Sequence, residues 1–140
     1  MKKRIETFKD ELKHLYDYQS EVTRLQGRIE ELVYEMENVK GIDYSKQGGG
    51  AFNEQSATAR RLAQIEKKEE LESQLRRVKE KIKGIGEVLS YMPSEDRLLV
   101  LEVVADRRRY RDVCEEKKIS NTSTLFTMIN GIIEAALRKM

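Results

Sequence analysis

Apolar residues recur through the first part of the chain at Ile5, Phe8, Leu12, Leu15, Tyr18, Val22, Leu25, Ile29, Leu32, Met36 and Val39. The steps alternate between three and four, apart from a slip between Leu15 and Tyr18. Such alternation lines one face of a helix with side chains that need a partner helix, and a shortened step disturbs the seam like a stammer. The spacing predicts one long helix over 5–39, about 50 Å in length at ~1.5 Å per residue. Gly27 lowers helicity there without ending the helix. Gly41 ends it, and residues 40–53, built around Gly48-Gly49-Gly50, read as a flexible loop. A second seam follows at Leu62, Ile65, Leu71, Leu75, Val78, Ile82, Ile85, Leu89 and Met92. Two amphipathic helices joined by such a loop bury their seams most simply as an antiparallel hairpin. Two helices leave part of each seam wet, so a second copy of the chain is the expected cover, through Leu12, Leu15, Val22, Leu25, Ile29, Leu75, Val78, Ile82 and Ile85. Gly84 and Gly86 are expected to bend the second helix.

Past Pro93 the pattern changes. Pro93-Ser94-Glu95-Asp96 reads as a helix restart, with the proline blocking continuation and acids in the first turn favouring the new helix dipole. A helix over the residues near Leu98 to Val104 follows, then a short one over 110–118 with Tyr110, Val113 and Cys114 inward. Ile119 fills a turn. The last helix carries Leu125, Ile129, Ile132, Ile133, Ala136 and Leu137 on one face and begins at Ser120-Asn121-Thr122-Ser123-Thr124. Side chains of that kind cap helices, and they also reach phosphates and base edges when a helix end is presented to a DNA groove. The fold class expected is all-α. Residues 1–92 form the coiled-coil hairpin and residues 93–140 a compact three-helix, helix-turn-helix domain.

Composition narrows the class. Charged residues make up 37% of the 140 and hydrophobic ones 39%, which suits extended helices sharing a narrow apolar seam. The apolar periodicity is too regular for a disordered chain. The single cysteine excludes an internal disulfide and fits a reducing compartment. Met1-Lys2-Lys3-Arg4 resembles the start of a signal peptide, but Glu6, Lys9, Asp10, Glu11 and Lys13 interrupt any apolar core behind it. No apolar run approaches the ~20 residues that span a bilayer. The expected location is the cytoplasm, with no membrane partner.

Net charge is only +2, so the whole chain does not advertise nucleic-acid binding. Affinity for phosphates has to come from local clustering, and the densest cluster is Arg107-Arg108-Arg109-Tyr110-Arg111, with Lys117 and Lys118 following. A basic run of this kind is also a common solvated turn. Its place beside the hydroxyl-rich start of the last helix favours a grip on the DNA backbone. With one histidine (His14) and one cysteine (Cys114), no His/Cys metal set forms within a chain, and no Ser-His or Cys-His pair has local support. Gly48-Gly49-Gly50 lacks the Lys-Ser/Thr of a phosphate loop, since Ala51-Phe52-Asn53 follows. The expectation is therefore a binding protein and not an enzyme, with no metal, cofactor or small-molecule ligand.

The segment Tyr110-Arg111-Asp112-Val113-Cys114-Glu115-Glu116-Lys117-Lys118-Ile119-Ser120 resembles the first helix and turn of region 4 of σ70-type sigma factors, and Ile133-Glu134-Ala135-Ala136-Leu137-Arg138-Lys139-Met140 resembles the tail of its recognition helix. With Val39-Lys40-Gly41-Ile42-Asp43-Tyr44-Ser45 and the triple glycine, most of the chain is similar to phage regulators of the RinA/ArpU type. The resemblance implies an activator of late packaging and morphogenesis genes; such a protein is expected to bind double-stranded DNA as a homodimer or higher oligomer, its coiled-coil seams mediating self-association or contact with RNA polymerase. In that reading Arg107, Arg108, Arg109, Arg111, Lys117 and Lys118 hold phosphates, while Asn121, Thr122, Ser123, Thr124, Thr127 and Asn130 face the major groove. One departure stands out. Where such helices often carry Arg or Lys, this one reads Leu125-Phe126-Thr127-Met128, so a bidentate arginine on guanine is not available there. Two other readings stay open, a small-terminase-like packaging component and a coiled-coil adaptor that binds only protein.

Overall fold

A computed structural model of the chain describes residues 1–40 and 54–140, and these are all-helical, without a strand among them. The helices are α1 (Lys2–Lys13), α2 (Leu15–Lys40), α3 (Glu54–Ser90), α4 (Ser94–Val100), α5 (Tyr110–Lys117) and α6 (Thr122–Lys139), with a π-helical turn, Leu101–Ala105, continuing α4. The expected loop 40–53, with Gly48-Gly49-Gly50, lies outside the described residues from Gly41 onward.

The single helix expected over 5–39 is broken. His14 separates α1 from α2 with φ −100° and ψ 9°, and its N–H donates to the Glu11 carbonyl at 3.1 Å. The break falls beside the slip in the apolar spacing, where two successive steps of three, Leu12 to Leu15 to Tyr18, rotate the stripe away from a straight seam. Two side chains secure it. The phenol of Tyr16 donates to Asp106 Oδ1 at 2.5 Å, and the Arg107 guanidinium donates to the Lys13 carbonyl at 3.0 Å, one of the acceptors left over at the end of α1.

The chain divides into two compact units, one of Met1–Gln19 with Glu80–Met140 and one of Ser20–Lys79. This differs from a boundary at Pro93: α1 and the end of α3 join the C-terminal helices. The reason is burial. Ile5, Phe8, Leu12 and Leu15 share one core with Ile85, Val88 and Met92 and with Val100, Val103, Val113, Leu125, Ile129 and Ile133. Leu12, Leu15 and Ile85, expected in a self-association seam, are therefore covered inside the chain and cannot meet a second copy. In the second unit Leu25 and Leu71 are buried, Val22, Ile29, Leu75 and Val78 are half-buried, and Leu62 and Ile65 are exposed. Ile82, in the first unit, is half-buried.

Local chemistry sets the corners. Pro93 stops α3, and Arg97 of α4 reaches back so that Nε donates to the Leu89 carbonyl at 2.9 Å and Nη2 to that of Met92 at 3.1 Å. The α3 terminus thus receives donors that its own helix cannot supply. Beyond α4 the π turn appears as an Asp106 N–H to Leu101 carbonyl bond of 2.8 Å, five residues apart. Val103, Val104 and Ala105 are all buried in succession. At about 100° per residue an α-helix would point one of three consecutive side chains to solvent, and the wider π turn keeps the three within a narrower arc.

Helix α3 continues unbroken through Gly84 and Gly86. Both are exposed, and a Cβ at either would meet nothing within 4 Å. Gly84→Ala and Gly86→Ala should each raise stability by ~0.5–1 kcal/mol, read as a higher urea midpoint with an unchanged slope. A lower midpoint would show that this stretch of α3 is not helical in solution.

Candidate nucleic-acid interface

Helix α5 closes with Lys118 in the left-handed region, φ 59° and ψ 42°, where glycine is the usual residue. The Ile119 N–H returns to the Cys114 carbonyl at 2.9 Å, the six-to-one bond of a Schellman ending, and the Ile119 side chain packs against the core. The chain then turns through Ser120 to Asn121, whose backbone is extended at φ −158° and ψ 168°. Asn121 Oδ1 accepts from the Thr124 N–H at 2.7 Å and from the Thr124 hydroxyl at 2.9 Å, so Asn121 is the cap of α6. Among the described residues no hydrogen bond engages its side-chain amide nitrogen.

The face of α6 turned to the core is Leu125, Ile129, Ile133, Ala136 and Leu137. Thr122, Ser123, Thr124 and Thr127 are exposed, and the Thr127 hydroxyl donates back to the Ser123 carbonyl at 3.0 Å. Asn130, expected on the same surface, sits elsewhere. It is half-buried, its Oδ1 is enclosed, and it lines a cleft of about 440 Å³ with residues of α1, including Lys2, Ile5 and Lys9. Asn130 is thus displaced from the exposed first turns of α6 toward α1.

The basic cluster separates into two kinds of residue. Arg107 has φ 56°, in the left-handed region, and spends its guanidinium on the Lys13 carbonyl. Arg108 ion-pairs with Glu116 at 2.6 Å and lies 3.7 Å from Glu102, while Lys117 stands 4.0 Å from the same Glu102 oxygen. Among the described residues that oxygen has no hydrogen-bond partner, so Glu102 is held by charge across a short gap from both cations. Arg107 and Arg108, and more weakly Lys117, are therefore engaged by the fold instead of standing free for phosphates. Arg109, Arg111 and Lys118 are exposed, and among the described residues no carboxylate or carbonyl holds their charged groups. Arg109 and Arg111 flank the first residue of α5, and Lys118 closes its last turn. The acids Glu102 and Glu116 had no spacing signal in the sequence that tied them to Arg108.

A second group gathers beside α6. Lys9 of α1 stands 4.3 Å over the ring of Phe126, itself 49% exposed. Between them and the π turn lies a cleft of about 420 Å³ lined by Glu6, Lys9, Asp10, Lys13, Val103, Val104, Arg107, Arg108, Tyr110 and Phe126. Burial lowers the Lys9 ammonium from its ordinary value, neighbouring Lys13 lowers it further, and Glu6 opposes both. Burial raises the Tyr110 phenol. The clue to this group was the placement of Lys2, Lys9 and Lys13 at steps of seven and four, on the helix that carries Ile5, Phe8 and Leu12.

Among the described residues no group of three or more His, Cys, Asp or Glu is placed to hold a metal ion, and no helix is long and apolar enough to cross a membrane. Cys114 is buried. Comparison with protein-family models, curated proteins and solved structures finds no match to this chain.

The Arg108–Glu116 pair gives a pH signature. The hydrogen bond from Arg108 holds the Glu116 carboxyl below its ordinary value, and Glu116 in turn raises the Arg108 guanidinium. A depressed carboxyl favours the folded state above the ordinary carboxylate range, and that contribution is lost as pH falls through the lowered value. Carboxyl-carbon NMR should place the Glu116 titration below the ordinary glutamate range, and Arg108→Ala should move it up into that range. A Glu116 titration that Arg108→Ala leaves unmoved would mean that the pair does not form.

Proposed function

We propose that the chain is a DNA-binding transcription regulator of phage or prophage origin, acting in the bacterial cytoplasm, with α5 and α6 as its helix-turn-helix. The reading rests on one observation above the others. A capped helix presents exposed Thr122, Ser123, Thr124 and Thr127 at its start, next in the chain to a short helix at whose ends stand Arg109, Arg111 and Lys118, the cations of the cluster that no carboxylate holds among the described residues. Such a pair of helices suits a duplex, the second helix entering the major groove by its N-terminal residues and the first crossing the backbone. In this mechanism Arg109, Arg111 and Lys118 hold phosphates and fix register. The hydroxyls of Thr122, Ser123 and Thr127 and the Asn121 amide meet base edges. Lacking an arginine in the groove, the helix discriminates by hydroxyl and methyl contacts, which read sequence less sharply than a bidentate pair. The resemblance to sigma region 4 supports the same assignment and carries the expectation of late-gene activation with RNA polymerase as a partner. The role is binding, without a catalytic step.

In the same reading residues 20–79 form an antiparallel helical arm through which copies associate. Exposed Leu62 and Ile65 and half-buried Val22, Ile29, Leu75 and Val78 are the apolar side chains that need a cover, and a second arm of the same pattern supplies it.

Two outcomes follow for DNA. Arg109→Ala with Arg111→Ala should weaken binding to any duplex and lower the slope of log affinity against log salt by ~0.9 for each lost contact. Arg107→Ala and Arg108→Ala should instead lower the melting temperature and leave that slope in place. Failure of the unaltered protein to retain any duplex at low salt removes the regulator reading and leaves a protein-binding adaptor.

For association, Leu62→Asp with Ile65→Asp should reduce the mass seen by sedimentation without loss of helicity, because a carboxylate is costly in an apolar seam. An unchanged mass would take these residues out of the interface. A closed ring of many copies in the unaltered protein would favour the packaging component over the regulator.

A further inference from the structure

We propose that α1 is a third element of the nucleic-acid interface, with Lys9 and Lys13 binding phosphates of the duplex that α6 reads. This rests on the helix-turn-helix reading and adds residues lying almost a hundred positions from that motif in the chain.

The need comes from α6. From Thr122 to Leu137 it has no lysine or arginine, so no cationic side chain in that stretch attracts the strand beside it. The supply comes from α1, which packs against α6 and the π turn. Lys9 and Lys13 are one turn apart and line the cleft that also holds Phe126 of α6 and Tyr110 of α5. Tyr110 stands between Arg109 and Arg111 in the chain, and it also lines a second, open cleft with Thr122, Ser123, Phe126 and Thr127. Tyr110 therefore joins the two groups. A strand bound at the start of α6 would then lie beside the cleft that Lys9 and Lys13 line with Tyr110 and Phe126.

Lys9 is poised for an anion. It is half-buried on an aromatic ring beside a second lysine. Glu6 and Asp10 line the same cleft, yet among the described residues no carboxylate lies within ion-pair distance of Lys9 or Lys13. A cation partly removed from water and left unpaired gains from a phosphate oxygen more than a fully hydrated one does. Its contact with the Phe126 ring fixes the ammonium in place, so little freedom is lost on binding.

The experiment measures affinity for a mixed-sequence duplex against salt, with the full chain. Lys9→Gln and Lys13→Gln should each lower the log–log slope by ~0.9, roughly an eightfold loss of affinity at ~0.1 M salt. Lys9→Arg with Lys13→Arg should restore the slope. Lys83→Gln, an exposed lysine of α3, should leave it unchanged. Lys13 is exposed, so its variant keeps the fold even if Lys9→Gln lowers the melting temperature. A slope unaltered by Lys13→Gln and Lys9→Gln overturns the inference, as does an equal fall with Lys83→Gln, which would be bulk charge. If those lysine variants have no effect while Arg109→Ala with Arg111→Ala lowers the slope, the helix-turn-helix reading stands and α1 is outside the interface. If the unaltered protein binds no duplex, both fail together.

Discussion

Burial of one face of α1 is the constraint on which the rest of the compact unit depends. The helices after Pro93 supply fewer than fifty residues, a length at which a chain encloses too little apolar surface to be secure on its own. Ile5, Phe8 and Leu12 close that core from the opposite end of the sequence. Leu12 is fully enclosed, and removing a leucine from such a position typically costs about 2–5 kcal/mol. The break at His14 follows from the same requirement, because α1 turns to follow its buried face while α2 continues toward residue 40. Arg107 and Tyr16 hold the two sides of that break to the end of the π turn.

Charge is distributed by the same logic. A run of arginines looks uniform along the chain, but the fold gives its members different tasks. Arg107 closes a helix end and Arg108 joins the π turn to α5, whereas Arg109 and Arg111 remain in solvent at the start of α5. Two helix ends, at Arg107 and at Lys118, place a long basic side chain in the left-handed conformation that glycine would adopt with less strain. At Arg107 the guanidinium bond to Lys13 offsets that strain. At Lys118 no such bond exists among the described residues, and the charge itself is what glycine could not supply.

Periodicity made the helices legible and left their partners hidden. The stripe Ile5, Phe8, Leu12, Leu15 announces a buried face, and the slip at Tyr18 marks where the helix breaks, but an apolar face does not name what it packs against. The pattern alone pairs it with the second seam, with a second copy over Leu12 and Leu15, whereas it packs in one core with Ile85, Val88, Met92 and the C-terminal helices. Asn121 as a cap was legible from side-chain type, since short amides and hydroxyls before an apolar run satisfy free N–H groups. The α5 ending was not, because the sequence offers Lys118 where the turn would be signalled by glycine. Nor was the π turn, whose three adjacent apolar residues read equally well as one side of an ordinary helix. In the candidate interface the exposed threonines were legible and the pairing of Arg108 was not, as both of its acids lie six or more residues away.

The compact unit is assembled from residues 1–19 and 80–140, with sixty residues of helical arm and connection between the two parts. On the ribosome α1 is made well before α4, α5 and α6, and its apolar face stays uncovered until they follow. Folding of this unit is therefore governed by a closure between distant segments, which is slow compared with helix formation and exposes sticky surface in the interval. The arm can shorten the wait. If its two helices pair as soon as both exist, they draw residue 19 and residue 80 together, and the remaining search becomes a local one. Pairing of that kind would make the helices between residues 19 and 80 the device that brings their own domain together.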